Sequence, residues 1–323
     1  MKVGMIFPGY GSQYVGMCKE LYDSSRLVQE YFEEAANCLD SNLVKLCFAS
    51  SDAELSKMHN AYPAIFLVGA SITALLKQEG IEPHVVAGYN TGEYSALFAA
   101  GGISFPDGLY ILSKYAGLYQ ELLDELKEAS VVRVTGIESA ELEVICNNIR
   151  ADGSAIHIAL YSDHSECLVS GLVPAIERLR EALKALSGVK VKDMCGEVGL
   201  HSLLMDPVVG RLNMYLEKVD FNALSIPLIS GSTAELITAQ EAIRPNVIAH
   251  INNPVRWTDV IKRLESCDII IEVGPGNSLQ QPIQAWYPHK QVVTVNKPED
   301  IEKVKSLVCI KQDKPVEPVD EHI

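Results

Sequence analysis

Short runs of valine and isoleucine alternate along the chain with longer segments in which apolar residues recur every three or four positions. The short runs indicate buried strands, and the longer segments indicate helices. Outside the middle of the chain, strands are predicted at residues 2–7, 85–88, 226–230 and 268–273. Because helical segments separate these strands, the pattern predicts an α/β fold with a parallel sheet flanked by helices.

The pattern changes in the middle of the chain. Strands are predicted at 131–135, 155–161, 166–170 and 189–194, with helices at 140–149 and 173–186. This order, β-α-β-β-α-β, is that of a ferredoxin-like unit. We therefore predict a small inserted domain at 128–196, a large domain formed by 1–127 and 197–310, and a disordered tail at 311–323.

Local signals place several helices of the large domain. Ser51 followed by Glu54 is a capping box, and a helix is expected to start at Asn253-Pro254-Val255-Arg256-Trp257. The segment 63–78 is apolar on nearly every side. A helix of that composition is expected inside the protein.

The segment from Gly88 to Gly92 is the most informative about chemistry. A valine-rich strand stops at Gly88, and an alanine- and leucine-rich helix begins close to Glu93. This layout is typical of the nucleophile elbow G-x-S-x-G, whose central residue adopts a strained backbone conformation and points at the substrate. The central residue here is Asn90, whose amide nitrogen is no nucleophile. Taken alone, the segment also fits an ordinary packing turn.

Composition and charge narrow the class of protein. With 323 residues, 48% of them apolar, the chain is long enough to bury a large core. Its net charge of −15 argues against nucleic acid or an anionic membrane as partners. We find no signal pattern and no uninterrupted run of about 18 apolar residues, and we expect a cytoplasmic protein. The eight cysteines include no C-x-x-C pair, which favours buried thiols in a reducing compartment.

Five motifs occur in the order and spacing of one family. They are Phe7-Pro8-Gly9-x-Gly11-Ser12-Gln13, Gly88-x-x-x-Gly92-Glu93-Tyr94-Ser95-Ala96-Leu97, His201-Ser202-x-x-Met205, Pro254-Val255-Arg256-Trp257 and Glu272-Val273-Gly274-Pro275-Gly276. With the inserted unit, they closely resemble the malonyl-CoA:acyl-carrier-protein transacylases over roughly residues 5–296. The resemblance implies an α/β-hydrolase-like large domain, a ferredoxin-like small domain and a site in the cleft between them.

The resemblance also implies a ping-pong acyl transfer. A serine at the elbow takes malonyl from coenzyme A, a histidine acts as base and then as acid, and the acyl group passes to the phosphopantetheine thiol of acyl-carrier protein. Backbone N–H groups stabilise the oxyanion, and an arginine binds the malonyl carboxylate. The implied ligands are coenzyme A or phosphopantetheine thioesters, the implied partner is acyl-carrier protein, and no permanently bound cofactor or metal is expected.

Position by position, the resemblance carries over the base but not the nucleophile. His201 matches the histidine, whereas Asn90 stands at the serine. Tyr10 and Thr91 fall where backbone N–H groups form the oxyanion hole. The positions expected to bind substrate or orient the base fall on Tyr62, Tyr89, Tyr115 and His250. In the small domain, the corresponding pattern reads Ser162 and Glu166.

Tyr115 replaces the carboxylate-binding arginine when the alignment is anchored on Gln120. One interpretation is that tyrosines have relined the cleft for a less charged acyl group or a stacked pantetheine arm. The other is that they fill the volume of a site that no longer works. The loss of a cation at Tyr115 also predicts that Asn90→Ser alone will not restore efficient malonyl transfer.

Three functions remain open at the level of the sequence. The protein binds acyl thioesters or their carrier without transferring the acyl group. Alternatively, it is an enzyme in which His201, with His250 nearby, acts as general base in hydrolysis, elimination or isomerisation. In the third, it is a still-active transacylase in which Asn90 reflects lineage variation or an engineered replacement. Thr91 and Ser95 are then the candidate substitute nucleophiles.

Overall fold

The computed structural model describes residues 1–126, 128–194 and 199–309. Its strands are β1 (Val3–Phe7), β2 (Val85–Gly88), β3 (Ala129–Thr135), β4 (Ile156–Asp163), β5 (Glu166–Leu172), β6 (Lys190–Asp193), β7 (Leu228–Ile229), β8 (Leu236–Ile237), β9 (Ile269–Val273) and β10 (Gln291–Val295). Its α-helices are α1 (Lys19–Ser24), α2 (Arg26–Leu39), α3 (Leu43–Ala49), α4 (Asp52–Leu55), α5 (Met58–Gln78), α6 (Gly92–Ala99), α7 (Phe105–Glu125), α8 (Ser139–Ala151), α9 (Val173–Leu183), α10 (Asp206–Leu216), α11 (Ile243–Asn252), α12 (Trp257–Arg263), α13 (Gln280–Trp286) and α14 (Pro298–Cys309).

The larger sheet has the strand order β10-β9-β1-β2-β7-β8. Strands β10, β9, β1, β2 and β7 pair in parallel, as the alternation of strands and helices predicts. The edge pair β7 and β8 is antiparallel, so the sheet is mixed rather than fully parallel. Each strand of this pair is two residues long, and the six residues 230–235 that join them are too few for a parallel crossover.

Helices cover both faces of the larger sheet. Successive side chains of a strand point to opposite faces. On β1, Met5 and Phe7 pack in a core with α2, α5, α7 and α10, whereas Ile6 packs in a second core with α12 and α13. The central strands β1 and β9 are buried along their whole length, as their mainly apolar sequences predict, although β9 includes the buried Glu272.

The smaller sheet has the antiparallel order β4-β5-β3-β6. Helices α8 and α9 cover one face and form a third core with residues such as Val132 and Val134. Element order and strand order are those of a ferredoxin-like unit, so this part of the fold prediction is confirmed. The predicted boundaries at 127 and 196 and the predicted tail at 311–323 lie outside the described residues.

Backbone hydrogen bonds join the small sheet to the segment that precedes α12. The N–H of Val255 donates to the carbonyl of Ala159, and the N–H of Tyr161 donates to the carbonyl of Val255, both over 2.9 Å. Val255 therefore extends the small sheet as an isolated parallel bridge to Leu160. The predicted helix at Asn253 accordingly begins only at Trp257, because Val255 is held in an extended pairing.

Helix α5 is the longest apolar helix in the described part of the chain. By length and composition alone it would suffice to cross a membrane, but 78% of its most apolar window is buried inside the protein. The prediction of an interior helix is confirmed. The helix starts at Met58 rather than Pro63, because the proline removes only one backbone hydrogen bond from a helix held by its apolar surroundings.

Candidate active site

A strained turn between β2 and α6 forms the centre of the site. Asn90 has a φ of +53°, in the left-handed region, and only 7% of it is exposed. Glycine is required on either side, because a Cβ at Gly88 would lie 2.1 Å from the nitrogen of Glu93 and a Cβ at Gly92 would lie 2.1 Å from the carbonyl oxygen of Phe7. The turn therefore has the backbone geometry of a nucleophile elbow, with an amide at its central position.

His201 and Asn90 line the same cavity. This cavity, here called the inner cavity, has a volume of about 300 Å³. It lies between the elbow and the exposed face of the small sheet, and its described lining is Gly9, Tyr10, Gly11, Ser12, Tyr89, Asn90, Val131, Arg133, Ala159, Leu160, Leu168, Met194, Leu200, His201 and Ser278. The predicted base and the predicted nucleophile position therefore share one cleft between the two sheets.

An outer cavity of about 440 Å³ adjoins the inner one. The two share Tyr89, Arg133 and Ser278, and the outer cavity also includes Ser162 and Glu166 of the small sheet. A larger cavity of about 870 Å³ lies beside the amino-terminal ends of β2 and β7 and contains none of the predicted site residues. The predicted site residues Asn90 and His201 therefore line a smaller cavity and not the largest of the three.

His250 connects the elbow to the base. The Nδ1–H of His201 donates to the backbone carbonyl of His250 over 2.6 Å, and the Nε2–H of His250 donates to the backbone carbonyl of Asn90 over 2.8 Å. A carbonyl only accepts, so these contacts fix the tautomer of each ring. The backbone role agrees with what the resemblance implies at this position. The His250 side chain, however, is buried behind the elbow and positions it, rather than binding substrate.

The imidazole of His201 is neutral in the folded protein. Burial, assisted by the neighbouring His250, lowers the pKa of His201 to about 3, and burial lowers the pKa of His250 to about 4. With Nδ1 bound to a carbonyl, the lone pair of His201 is on Nε2, which has no hydrogen-bond partner among the described residues. The ring is therefore arranged to accept a proton at Nε2.

Glu93 places a carboxyl group behind the two histidines. It receives hydrogen bonds from the side-chain amide of Asn246 over 2.8 Å and from the N–H of Gly231 over 3.2 Å. Its Oε2 lies 3.8 Å from Nδ1 of His250. Desolvation by burial raises the pKa of Glu93 to about 7. The sequence motif contains Glu93 but did not reveal this role, because its partners come from distant parts of the chain.

The Tyr10 N–H expected in the oxyanion hole is already bound. It donates to the side-chain hydroxyl of Thr91 over 2.9 Å. The structure therefore differs from the expectation that Tyr10 offers a free donor to substrate. The same bond directs the Thr91 hydroxyl into the loop. Ser95 lies against α5, where a Cβ at Gly69 would come within 2.8 Å of its Oγ, so it is buried away from the cleft.

The four tyrosines separate into two groups. Tyr10 and Tyr89 line the inner cavity, and Tyr89 packs edge-on against Trp257 with ring centroids 5.1 Å apart. Tyr62 and Tyr115 are only 1% and 2% exposed and belong to the core of the large domain. Their rings are tilted to each other with centroids 5.6 Å apart, and Tyr62 also packs edge-on against Tyr10 at 5.8 Å. Their role in binding substrate stays a prediction.

Comparison with known proteins identifies the family. The sequence profile of the acyl transferase domain matches residues 5–314. The chain belongs to the acyl transferase domain family. The resemblance that the five motifs indicated is thereby confirmed at the level of the family.

Curated relatives match this chain over most of its length. It is 29% identical over 303 residues to the malonyl CoA-acyl carrier protein transacylase of Bacillus subtilis strain 168, which covers 93% of this chain and 95% of the relative. The corresponding protein of Escherichia coli strain K12 is 29% identical over 277 residues, 85% of this chain and 89% of the relative.

Solved structures have the same fold as this chain. An acyl carrier protein S-malonyltransferase from Vibrio cholerae superposes with a TM-score of 0.89 at 27% identity, covering 94% of this chain and all of the other. A malonyl-transacylase solved in complex with its type II polyketide synthase acyl-carrier protein gives a TM-score of 0.89 at 25% identity, covering 95% and 100%. The fold prediction is therefore confirmed.

Proposed function

We propose that this protein binds acyl thioesters of coenzyme A or acyl-carrier protein in fatty-acid or polyketide synthesis without forming a covalent acyl intermediate. The observation that carries the proposal is the amide of Asn90 at the elbow, beside His201 in the inner cavity. An amide cannot attack a thioester, and loss of a nucleophile that acts together with its base costs on the order of 10⁶ in turnover.

The occupied oxyanion position supports the same proposal. A tetrahedral intermediate needs donors that are free to bind its developing charge. The N–H of Tyr10 is instead bound to the Thr91 hydroxyl. Of the parts needed for acyl transfer, the nucleophile has thus been replaced and one oxyanion donor is already bound, while the cleft between the sheets remains.

The thioester class comes from the relatives. Those compared above are named as transacylases of malonyl-CoA and acyl-carrier protein, and one was solved with its carrier. We carry over to this chain the ligand class and the carrier as partner. The cytoplasmic location expected from the sequence belongs to the same proposal.

Intact mass spectrometry tests the proposal. The protein is incubated with malonyl-CoA and, separately, with acetyl-CoA, and the Bacillus subtilis relative serves as the positive control. We expect no mass increase in this protein, together with saturable binding of thioester in an equilibrium titration. A stable acyl adduct would refute the non-covalent proposal.

A second candidate function is a reaction in which His201 acts as general base on a bound thioester. The observation that favours it is the unpartnered Nε2 of a neutral imidazole at the inner cavity. Acyl-carrier protein loaded with short acyl chains is incubated with the protein, and the mass of the carrier is followed. A changed carrier mass that disappears in His201→Ala would establish hydrolysis or elimination. An unchanged mass excludes both of these reactions, since isomerisation alone conserves mass.

A further inference from the structure

The inner cavity contains a cation that the sequence analysis did not assign to the site. Arg133, in the middle of β3, lines both the inner and the outer cavity. Among the described residues lining the inner cavity it is the one lysine or arginine, and none of them is an aspartate or glutamate. Arg133 is therefore the charged side chain in this lining, since His201 is neutral.

The alternation of β3 directs Arg133 into the cleft. Val132 and Val134 are fully buried in the core beneath α8 and α9. Successive side chains on a strand point to opposite faces, so Arg133 lies on the face that borders the cavity. Its neighbours in the sheet are Leu168 on β5 and Lys192 on β6, which hold the backbone at this position.

The guanidinium of Arg133 is weakly partnered. Within the described residues its one ion pair is to Glu166, with 3.6 Å between Nε and Oε1, and its Nε makes no hydrogen bond. The other arginines of the small unit differ. Arg150, Arg178 and Arg180 each make hydrogen bonds to carbonyl, hydroxyl or carboxylate oxygens. With 42% of its side chain exposed, Arg133 retains donors that can bind a ligand.

We propose that Arg133 binds a carboxylate carried by the acyl group of the thioester. The inference rests on the proposed function and names the acyl class that the cleft selects. It also revises the expectation from Tyr115 that the acyl group is uncharged. The anion is bound from the small sheet, whereas Tyr115 lies in the core of the large domain.

The size of the inner cavity favours an acyl carboxylate over a phosphate. Asn90, His201 and Arg133 share a space of about 300 Å³. In coenzyme A and in the carrier arm, the whole pantetheine chain separates the thioester from the nearest phosphate. A phosphate in this cavity would therefore keep the thioester away from Asn90. A carboxylate a few bonds from the thioester carbonyl fits beside both groups, and a guanidinium binds it through two parallel hydrogen bonds.

Titration calorimetry with malonyl-CoA and acetyl-CoA tests the assignment, because both esters carry the same phosphates. We expect the unaltered protein to prefer malonyl-CoA. Arg133→Gln should lose about 10- to 100-fold in affinity for malonyl-CoA and keep its affinity for acetyl-CoA. Arg178→Gln is the matched control, since Arg178 is similarly exposed on the same unit and should change neither affinity.

Two further variants are expected to change the affinity for malonyl-CoA in opposite directions. Arg133→Lys keeps the charge without the planar fork and should lie between the unaltered protein and Arg133→Gln. Glu166→Gln removes the competing carboxylate and should tighten malonyl-CoA binding. Thermal unfolding of every variant verifies that it is folded.

The outcomes separate this inference from the proposed function. Equal loss for both esters in Arg133→Gln would assign Arg133 to a phosphate and overturn the acyl-carboxylate assignment. Unchanged affinities in Arg133→Gln would overturn it as well, while the proposed function stands. If the unaltered protein binds neither ester, the proposed function fails and this inference with it.

Discussion

At the residue scale, the hydroxyl of Thr91 accepts the hydrogen bond of a backbone N–H that acyl transfer requires in the oxyanion hole. The Tyr10 N–H is bound to it, and the elbow residue beside it is Asn90. Restoring a serine therefore restores only one of two missing parts. Asn90→Ser alone is again expected to be inefficient, as the sequence predicts. The physical reason is the bound N–H of Tyr10 rather than Tyr115, because Tyr115 is packed in the core.

We predict that Asn90→Ser forms an acyl-enzyme slowly and that Asn90→Ser combined with Thr91→Val forms it about 100-fold faster. Valine keeps the shape of threonine and frees the N–H of Tyr10, and one oxyanion donor is worth about 10²–10³ in rate. The measurement is the rate of the mass increase with malonyl-CoA. Thr91→Val alone should give no adduct. Equal rates for the single and the double variant would show that the Thr91 contact has no effect.

The sequence predicted the positions of Asn90 and His201 because a glycine-framed turn and a linear motif are local patterns. It did not reveal that Tyr62 and Tyr115 are buried in the core, since spacing along a helix does not show which helical face borders a cleft. Arg133 was missed although a signal was present. An arginine between two valines of a short strand, Val132 and Val134, must lie on the face opposite to the valine core.

At the scale of elements, the turn from β2 to α6 requires glycine for reasons of space. A Cβ at Gly88 or at Gly92 would meet backbone atoms, which cannot rotate away as a side chain would. Gly117 in α7 is different, because a Cβ there meets nothing within 4 Å. The two kinds of glycine therefore predict opposite responses to the same substitution.

We predict that Gly88→Ala lowers the free energy of unfolding by about 3 kcal/mol or more, because the methyl group would displace the backbone of Glu93. Gly117→Ala should raise it by about 0.5–1 kcal/mol, since alanine favours a helix interior. Urea unfolding at neutral pH measures both. A Gly88→Ala protein as stable as the unaltered one would contradict the close approach of β2 and α6.

The β-α-β-β-α-β order was predictable because each element is long and its hydrophobic period changes clearly from strand to helix. Strand β8, strand β10 and helix α14 were not predicted. The two residues of β8 are too few to show a period. Strand β10 is a segment of five residues, three of them valine, that is held as a strand by pairing with β9. Only tertiary contact distinguishes such a run from a buried loop.

At the scale of the whole molecule, two sets of buried titratable groups act on stability in opposite directions. His201 and His250 have a folded-state pKa of about 3 and about 4, below their ordinary value of 6.5. The unfolded chain therefore binds more protons, and their contribution to stability is lost as pH falls from 6.5 towards 4. Burial raises the pKa of Glu93 and Glu272 from 4.5 to about 7. Their contribution is lost as pH rises from 4.5 through 7.

We predict a free energy of unfolding that is nearly constant between pH 4.5 and 6.5, where the two sets oppose each other, and that falls below this window. His250→Gln should make the slope in the window negative, and Glu272→Gln should make it positive. Each substitution changes the difference in bound protons between the unfolded and the folded state by about one. The slope of the free energy of unfolding therefore changes by roughly 1.4 kcal/mol per pH unit. Urea unfolding across this pH range measures the slopes. Parallel profiles for both variants would contradict the opposed burial.

The pairing of Val255 with β4 has a mechanical consequence. Its two backbone hydrogen bonds, to Ala159 and from Tyr161, lie at the edge of the small sheet that borders the inner cavity. Moving the two sheets apart to admit a bulkier ligand would break both bonds. The width of the opening at this edge is therefore fixed while the bonds are formed. The rate of deuterium exchange at the amides of Val255 and Tyr161 would then report how often the two sheets move apart.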